Sequence, residues 1–430
     1  MSRHMCNAAK ERSRAAAPAA AAAKTFSRPE ATEAFKVDWE PDKDLRRDVV
    51  ADFSMCVPDA KGEYYRQFNG PSDQGWEKGC PLFDGRAKAT DFAFSTNFAQ
   101  FARLDPSLGK EPEWIYLNTK EPFAAVMVGV QGAGKSYTTA NIIESCLIPV
   151  NTPENKLLTP LATLVCHFDE SVGTMCEAAS LTIGKDQSTA AVKQMVILTS
   201  PSNFFERKQT YSACPSCTVV PLLFDFKHLG AQELKQIMGV SADQSQLYMS
   251  VVLNVLRKWE KRPKTANIPQ LTFEGFEKLL QNEQELTQSQ SVPLQQRLSL
   301  LRSFLKDADE NKDLPYDRDV SQFFVRGCVV IADLTDPLIS QSDANRIFQV
   351  VLSLFRKTSL DPSSSEPAAK LSGKLVVFDE AHKYISCKSG DLCDDVVYLV
   401  RQMRHYGIRI VVSTQVTFRI RTQHANNTDE

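Results

Sequence analysis

Short apolar runs, rich in valine and isoleucine and ended by turn residues or carboxylates, alternate with longer stretches of mixed polarity after Trp114. Runs of this kind suit strands that are covered on both faces, and their alternation with helical stretches is typical of a mainly parallel α/β sheet flanked by helices. Seven runs are predicted as strands: Ala124–Val128, Leu164–Phe168, Met195–Leu198, Leu222–Phe226, Cys328–Ala332, Leu375–Phe378 and Ile408–Val412.

A second pattern, with apolar residues at helical spacing, covers residues 240–323. Leu247, Val251, Val255 and Trp259 recur at intervals of four, as on one face of a helix. The segment therefore predicts a helical insertion with polar sides that face solvent.

The two ends of the chain differ from its middle. Residues 1–34 are rich in alanine and poor in acids, which predicts a disordered tail, because such a segment buries little apolar surface. A mitochondrial presequence is the alternative interpretation of the same composition. Residues 35–114 are irregular and receive no fold assignment, residues 115–415 are predicted as one domain, and residues 416–430 are a polar tail.

Composition excludes several classes of protein. Of the 430 residues, 43% are hydrophobic and 24% are charged, as in an ordinary globular protein. Fifty basic residues against 52 acidic ones give a net charge of -2, which excludes a basic nucleic-acid coat. No apolar run reaches the roughly 18 residues of a transmembrane helix, so we expect no membrane partner.

The 11 scattered cysteines favour reduced thiols and an intracellular location, in the cytoplasm or nucleus. Cys214 and Cys217 are predicted as free thiols rather than as metal ligands or a redox pair.

One octapeptide fits the phosphate-loop pattern G-x-x-x-x-G-K-[ST] at every specified position. With the residue that follows, the predicted nucleotide-binding residues are Gly129, Val130, Gln131, Gly132, Ala133, Gly134, Lys135, Ser136 and Tyr137. The glycines let backbone N–H groups point at phosphate oxygens, Lys135 reaches the β- and γ-phosphates, and the Ser136 hydroxyl coordinates Mg²⁺. A predicted strand precedes the loop and a predicted helix follows it, which is the context that the pattern requires.

Two carboxylates end the predicted strand Leu375–Phe378. We expect Asp379 to hold Mg²⁺ through its water shell and Glu380 to act as the base that polarises the attacking water. Asp333 also ends an apolar run but no glutamate follows it, so it is the alternative metal ligand. Asp333 or Asp336 is otherwise expected to cap the next helix or to hold the turn before it.

The run Ile408–Val412 leads to Gln415, which is predicted to hydrogen-bond the γ-phosphate or the lytic water, and its strand is expected beside that of Asp379. An ordinary polar strand end is the other interpretation. One of Arg401, Arg404 and Arg409 is a candidate for contact with nucleotide in a neighbouring subunit, although a solvated helix face explains any single one of them.

Together these motifs resemble the HerA/FtsK superfamily of P-loop ATPases, specifically its HerA-like branch. The resemblance implies a RecA-like core, a catalytic glutamate directly after the Mg²⁺-binding aspartate, and a glutamine at the end of the next strand. It also implies ATP as the nucleotide and homo-oligomeric rings that move double-stranded DNA. Members of the branch usually carry a small β-barrel before the motor domain, but residues 36–113 do not show the pattern of one. Family members continue beyond the glutamine with further strands and helices, so the C-terminus is expected to be truncated.

Two functions are therefore expected from the sequence. The first is Mg²⁺-dependent ATP hydrolysis with Glu380, Gln415 and Lys135 as catalytic residues and Ser136 and Asp379 as metal ligands, coupled to DNA translocation. The second is a nucleotide-gated binding or assembly module with little or no turnover, which the near-neutral charge and the short C-terminus favour.

Overall fold

The structure is a computed structural model. It describes residues 82–84, 97–103, 114–152, 155–183, 192, 194–214, 216–239, 247–261, 272–282, 288–315, 318–361, 373–385 and 392–415. The tails predicted over residues 1–34 and 416–430 lie outside these ranges.

The described residues form twelve strands and eight α-helices. The strands are β1 Leu82–Asp84, β2 Asn97–Arg103, β3 Trp114–Asn118, β4 Ala124–Val128, β5 Val150–Asn151, β6 Lys156–Leu157, β7 Ala162–His167, β8 Gln194–Thr199, β9 Cys217–Pro221, β10 Cys328–Asp333, β11 Lys374–Phe378 and β12 Ile408–Thr414. The α-helices are α1 Lys135–Leu147, α2 Phe204–Thr210, α3 Ala231–Ile237, α4 Leu247–Glu260, α5 Phe273–Gln281, α6 Gln288–Ser303, α7 Gln341–Lys357 and α8 Leu392–Tyr406.

Seven of the strands form one parallel sheet, in the order β4-β12-β11-β7-β10-β8-β9. The sheet confirms the predicted mainly parallel α/β architecture. Strand β12 lies between β4, which leads into the phosphate loop, and β11, which ends at Asp379. The strand that leads to Gln415 therefore lies beside that of Asp379, as predicted.

Both faces of the parallel sheet are buried, which explains why its strands are continuous apolar runs. On one face Leu164 and Val330 belong to a large apolar cluster that helices α3 to α8 complete. On the other face Val165 and Val377 pack in a second cluster with Ile143 of α1. The helices thus hold the sheet between two layers, and the strand ends remain available for a site.

The predicted helical insertion corresponds to helices α4, α5 and α6. Phe226 packs beneath it, with its ring stacked on Trp259 at a centroid distance of 6.3 Å and edge-on to Phe273 at 5.7 Å. The predicted strand Leu222–Phe226 is wrong, because the strand is β9 and it ends at Pro221. The apolar run is instead buried against the helices, and a buried run of five residues has the same composition in either setting.

A smaller antiparallel sheet, in the order β1-β3-β2-β6-β5, was not predicted. Its longest strand contacts α1, where the Asn141 side-chain amide donates to the Phe101 carbonyl at 2.9 Å. Phe98 and Tyr116 pack edge to face across β2 and β3 at 5.9 Å. The small sheet therefore rests against the helix that follows the phosphate loop.

No α-helix of the described residues is long and apolar enough to cross a membrane.

The strand register brings the polar strand ends to one edge of the parallel sheet. Asp333 pairs with His167 across β10 and β7. Phe378 pairs with Cys166 across β11 and β7, so that Asp379, the next residue, is level with His167. Strands β12 and β4 end at the same edge.

Candidate functional site

The phosphate loop, residues 129–136, joins β4 to α1 as predicted. A Cβ atom on Gly129 would lie 2.9 Å from the Cβ of Ala133, so a larger residue there would push the loop open. Gly134 has φ +86°, in the left-handed region that favours glycine. The first turn of α1 carries no acidic residue, so the positive end of the helix dipole is not compensated by its own side chains.

Lys135 is buried at the start of α1, and its Nζ donates to the carbonyl oxygen of Val130 across the loop at 3.1 Å. The ammonium group is thus directed into the concave side of the loop, where phosphate oxygens are stronger acceptors than a carbonyl. Ser136 is half-buried in the first turn of the helix, whereas Tyr137 is 78% exposed. The geometry of the loop and its lysine therefore suits a phosphate group.

Asp379 follows β11 directly and is buried. The His167 Nδ1 lies 3.2 Å from Asp379 Oδ2, and the Cys176 Sγ lies 3.9 Å from the same oxygen. Burial lowers the pKa of His167, but the hydrogen bond to Asp379 and the charges of Asp333, Asp379 and Asp169 outweigh it, so this pKa lies above its ordinary value. Burial raises the pKa of the Cys176 thiol well above its ordinary value, and the charge of Asp379 adds to the shift. The buried carboxylate of Asp379 thus contributes to both shifts and is the group here that would attract a cation.

Glu380 has φ +50°, and among the described residues it is the one non-glycine residue with positive φ. The Gln415 amide donates to Glu380 Oε2 at 2.8 Å, and the His382 Nδ1 lies 3.5 Å from that oxygen. The side chain of Glu380 is 17% exposed, so its carboxylate is accessible to a water molecule. Two predicted catalytic residues, Glu380 and Gln415, are therefore in direct contact.

Asp333 is fully buried, and its carboxylate is occupied by other side chains. The Arg207 guanidinium donates to it twice, with its Nε at 3.1 Å, and the Tyr211 hydroxyl donates at 2.6 Å. The Thr335 backbone N–H donates to its other oxygen at 3.0 Å. With these partners Asp333 is a structural residue, and Asp379 is the acid that faces the site.

The neighbouring acid, Asp336, holds a turn as expected. It accepts the Leu338 backbone N–H at 2.8 Å and the hydroxyls of Ser200 and Ser202. The cap of α7 is Ser340, whose hydroxyl accepts the Asp343 N–H at 3.2 Å.

The three candidate arginines differ in their surroundings. Arg409 is buried near the start of β12, and its guanidinium donates to the carbonyls of Gly407, Thr119 and Lys120. This end of the strand is opposite to the phosphate loop, so Arg409 stabilises the fold. Arg401 and Arg404 are exposed on α8 and are available to a partner.

Two groups near the site were not predicted to act there. Cys176 had no recognisable motif, and only the fold brings it to Asp379. His167 ends β7, and its Nδ1 lies 3.2 Å from Asp379 Oδ2, across 212 residues of sequence. Its position could have identified it, because His167 ends β7, the strand adjacent to β11. Cys214 is buried and Cys217 is half-buried, and neither forms a disulfide.

Comparisons with known proteins show similarity of structure only. No family model and no curated protein matches the chain. The bacterial conjugative coupling protein TrwBΔN70, in complex with sulphate, is 14% identical, with 69% of this chain and 63% of that one covered and a TM-score of 0.38. VirB4 of Thermoanaerobacter pseudethanolicus is 12% identical, with 68% and 69% covered and a TM-score of 0.38. The plasmid coupling protein TrwB in complex with the non-hydrolysable GTP analogue GDPNP is 14% identical, with 69% and 64% covered and a TM-score of 0.38. The chain thus spans less than two thirds of the length of the two TrwB structures. Its function is therefore inferred from the residues of this chain.

Proposed function

We propose that this protein binds ATP with Mg²⁺ and hydrolyses it. The observation that carries the proposal is the hydrogen bond between Gln415 and Glu380 at 2.8 Å. It joins the end of β12, which is adjacent to the phosphate-loop strand, to the acidic end of β11. A phosphate-binding loop, a metal-binding carboxylate, a base and a polar amide then lie along one edge of the sheet.

The chain's residues suit the nucleotide and the metal. The missing side chain of Gly129 and the left-handed backbone of Gly134 let the loop curl tightly around phosphate, and Lys135 neutralises charge on the β- and γ-phosphates. The Ser136 hydroxyl and the Asp379 carboxylate supply the oxygen ligands that Mg²⁺ prefers. When bound, Mg²⁺ would withdraw charge from the phosphate oxygens. ATP is proposed over GTP because the sequence has no N-K-x-D segment to read guanine and because the family resemblance implies ATP.

Glu380 is proposed as the base. Its carboxylate accepts the Gln415 amide on one oxygen, which fixes its orientation and leaves the other oxygen to accept a proton from water. Gln415 then links the state of this carboxylate to the strand beside the phosphate loop. Loss of the γ-phosphate or of the water would change the position of Gln415, which is the sensor role proposed for it.

The proposal extends to a homo-oligomeric ring that acts on double-stranded DNA. Its support is the resemblance to the HerA-like branch and the two exposed arginines on α8, Arg401 and Arg404, which are placed on a surface open to a neighbouring subunit. The net charge of -2 requires any DNA surface to be local, since each phosphate contact needs a cation.

Steady-state ATP hydrolysis, measured with and without double-stranded DNA, tests the proposal. Lys135→Ala and Glu380→Gln are expected to abolish turnover. Lys235→Ala and Glu274→Gln, which change exposed residues on α3 and α5, are matched controls and are expected to retain it. Glu380→Gln is also expected to bind ATP as tightly as the unaltered protein, because only the proton acceptor is lost.

Turnover that persists in both Lys135→Ala and Glu380→Gln would contradict the proposal. Nucleotide binding without turnover in the unaltered protein would support the gated module instead. Stimulation by DNA that is lost in Arg401→Ala or Arg404→Ala, with oligomer size unchanged, would identify the arginine that acts between subunits.

A further inference from the structure

We propose that His167, Cys176 and Asp379 form a binding site for a borderline transition-metal ion such as Zn²⁺. None of its ligands belongs to the phosphate loop, but it shares Asp379 with the proposed Mg²⁺ site. The inference that a metal binds rests on the three side chains alone. The inference that it competes with Mg²⁺ rests on the proposed function.

The distances fit a tetrahedral metal. The three ligand atoms lie within 4.8 Å of one another. Tetrahedral Zn²⁺ with ordinary bond lengths would place its nitrogen and oxygen ligands about 3.3 Å apart and its sulfur and oxygen ligands about 3.5 Å apart. The observed separations are 3.2 Å for His167 Nδ1 to Asp379 Oδ2 and 3.9 Å for Cys176 Sγ to the same oxygen. The ligand atoms of His167 and Cys176 lie within 4.8 Å of each other, so closing the site requires the Cys176 Sγ to move toward the other two ligand atoms.

The ligand types select the metal. A thiolate, an imidazole and one carboxylate suit Zn²⁺ or Co²⁺, whereas Mg²⁺ prefers oxygen ligands and retains its waters. All three side chains are buried. Asp379 supplies the negative charge at the site, because Asp333 is paired with Arg207 and Asp169 with Lys383.

The ligands are held in place by the fold. His167 and Asp379 are level with each other at the ends of adjacent parallel strands. The backbone N–H of Cys176 donates to the Tyr211 hydroxyl at 3.1 Å, and that hydroxyl donates to Asp333 at 2.6 Å. The position of Cys176 is therefore fixed by a buried chain of hydrogen bonds, and such supporting contacts increase metal affinity.

A second observation concerns the other nitrogen of His167. The Nε2 atom is buried and has no hydrogen-bond partner among the described residues. A buried polar atom without a partner is costly, so hydrogen bonding alone does not account for an imidazole at this position. With a metal at Nδ1, Nε2 would carry the proton and stay without a partner among the described residues, so the geometry of the three ligand atoms carries the proposal and this nitrogen does not.

Three protein ligands leave the fourth tetrahedral position open, as in zinc sites that accept water or another ligand. Because Asp379 serves both sites, occupation by Zn²⁺ would withdraw this carboxylate from Mg²⁺. The site would then reduce ATP hydrolysis when zinc is available.

Titration of the full-length protein with Co²⁺, in the absence of nucleotide, tests metal binding directly. A thiolate bound to Co²⁺ gives a charge-transfer absorption band, which is expected at one equivalent. Cys176→Ser and His167→Gln are expected to weaken binding by more than about tenfold, because even supporting contacts are worth about 10- to 100-fold. The double variant Cys214→Ser/Cys217→Ser is the matched thiol control and should retain the band. Cys176→Ala repeats the test with an apolar residue, and thermal unfolding confirms that each variant is folded.

A band that survives in both Cys176 variants, or that disappears in the Cys214/Cys217 control, would overturn the site. The competition is tested by adding Mg²⁺ with ATP to the Co²⁺-loaded protein. Bleaching of the band in the unaltered protein, but not in Lys135→Ala, supports a shared Asp379. A band unaffected by Mg²⁺ and ATP, in protein shown to bind the nucleotide, overturns the competition.

Discussion

Replacing Asp333 is predicted to destabilise the fold strongly while its counterpart Asp379 is predicted to be dispensable for folding. Asp333 and Arg207 are both fully buried, and the carboxylate also accepts the Tyr211 hydroxyl at 2.6 Å. Asp333→Asn would leave the guanidinium buried without a countercharge. Removing one partner of a buried ion pair typically costs about 3 to 5 kcal/mol, because the remaining charge is desolvated and has no countercharge.

Urea unfolding followed by circular dichroism measures this cost. With a slope of about 3 kcal/mol per molar urea, a loss of 3 to 5 kcal/mol lowers the midpoint by about 1 to 1.7 M. The double variant Arg207→Met/Asp333→Leu replaces the pair with apolar side chains and is expected to recover most of the loss. Asp379→Asn is expected to shift the midpoint by less than about 0.3 M, corresponding to a change within about 1 kcal/mol, and to abolish ATP hydrolysis.

An Asp333→Asn protein with an unchanged midpoint, or an equal loss of stability in Asp379→Asn, would contradict this prediction. Either result would mean that the two strand-end aspartates are not divided between structure and chemistry. A double variant less stable than Asp333→Asn would show that packing, rather than the unpaired charge, determines the cost.

Three further predictions follow from single side chains. Burial lowers the pKa of Lys374 to about 7, with the charges of two nearby arginines adding to the shift, so the unfolded chain binds more protons than the folded one between pH 7 and 10.5. The free energy of unfolding should therefore rise by about 2 kcal/mol from pH 7 to pH 9, and Lys374→Met should remove this pH dependence. Urea unfolding at several pH values measures it, and an equal pH dependence in both proteins would contradict the prediction. Gly134→Ala, which puts a Cβ on a residue with φ +86°, should weaken ATP binding in a fluorescent-nucleotide titration, whereas Gly173→Ala, with open space around it, should not. Glu380→Gly should raise the free energy of unfolding by up to about 1 kcal/mol, because it relieves a left-handed backbone, and should end turnover; a less stable or still active variant would oppose this.

Regular features of the sequence predicted the central fold well. Six of the seven predicted strands are strands of the parallel sheet, and the phosphate loop lies between β4 and α1. A doubly covered strand carries its signature in its own residues, and the loop pattern requires only local backbone geometry. The small antiparallel sheet was missed although Asn97–Arg103 and Trp114–Asn118 contain partly alternating residues. Short strands of this kind need partners distant in sequence, such as Lys156–Leu157, which no local pattern specifies.

The different surroundings of Asp333 and Asp379 were harder to predict from the sequence than the strands were. Asp333 and Asp379 each end an apolar strand, and their local sequences differ mainly in the glutamate that follows Asp379. Their surroundings differ because α2 places Arg207 beside Asp333, across 126 residues of sequence. The same helix region supplies Tyr211, which fixes Cys176 beside Asp379. Contacts of this range arise only when the strands have been assembled, so sequence order alone does not reveal them.

Glu380 shows how a local conflict can identify a functional residue. Its φ of +50° costs a non-glycine residue about 1 to 2 kcal/mol, and a glycine would make the same turn without that cost. The backbone is forced into the turn because Asp379 still continues the sheet, with its N–H donating to the Cys166 carbonyl at 3.0 Å, while residues 381–383 already form a helical turn. The carboxylate that this strained position carries contacts Gln415 at the edge of the sheet and remains partly open to water. A side chain kept at a cost to stability, in contact with a second strand end and next to the aspartate proposed to hold Mg²⁺, supports the proposal that Glu380 acts as the base.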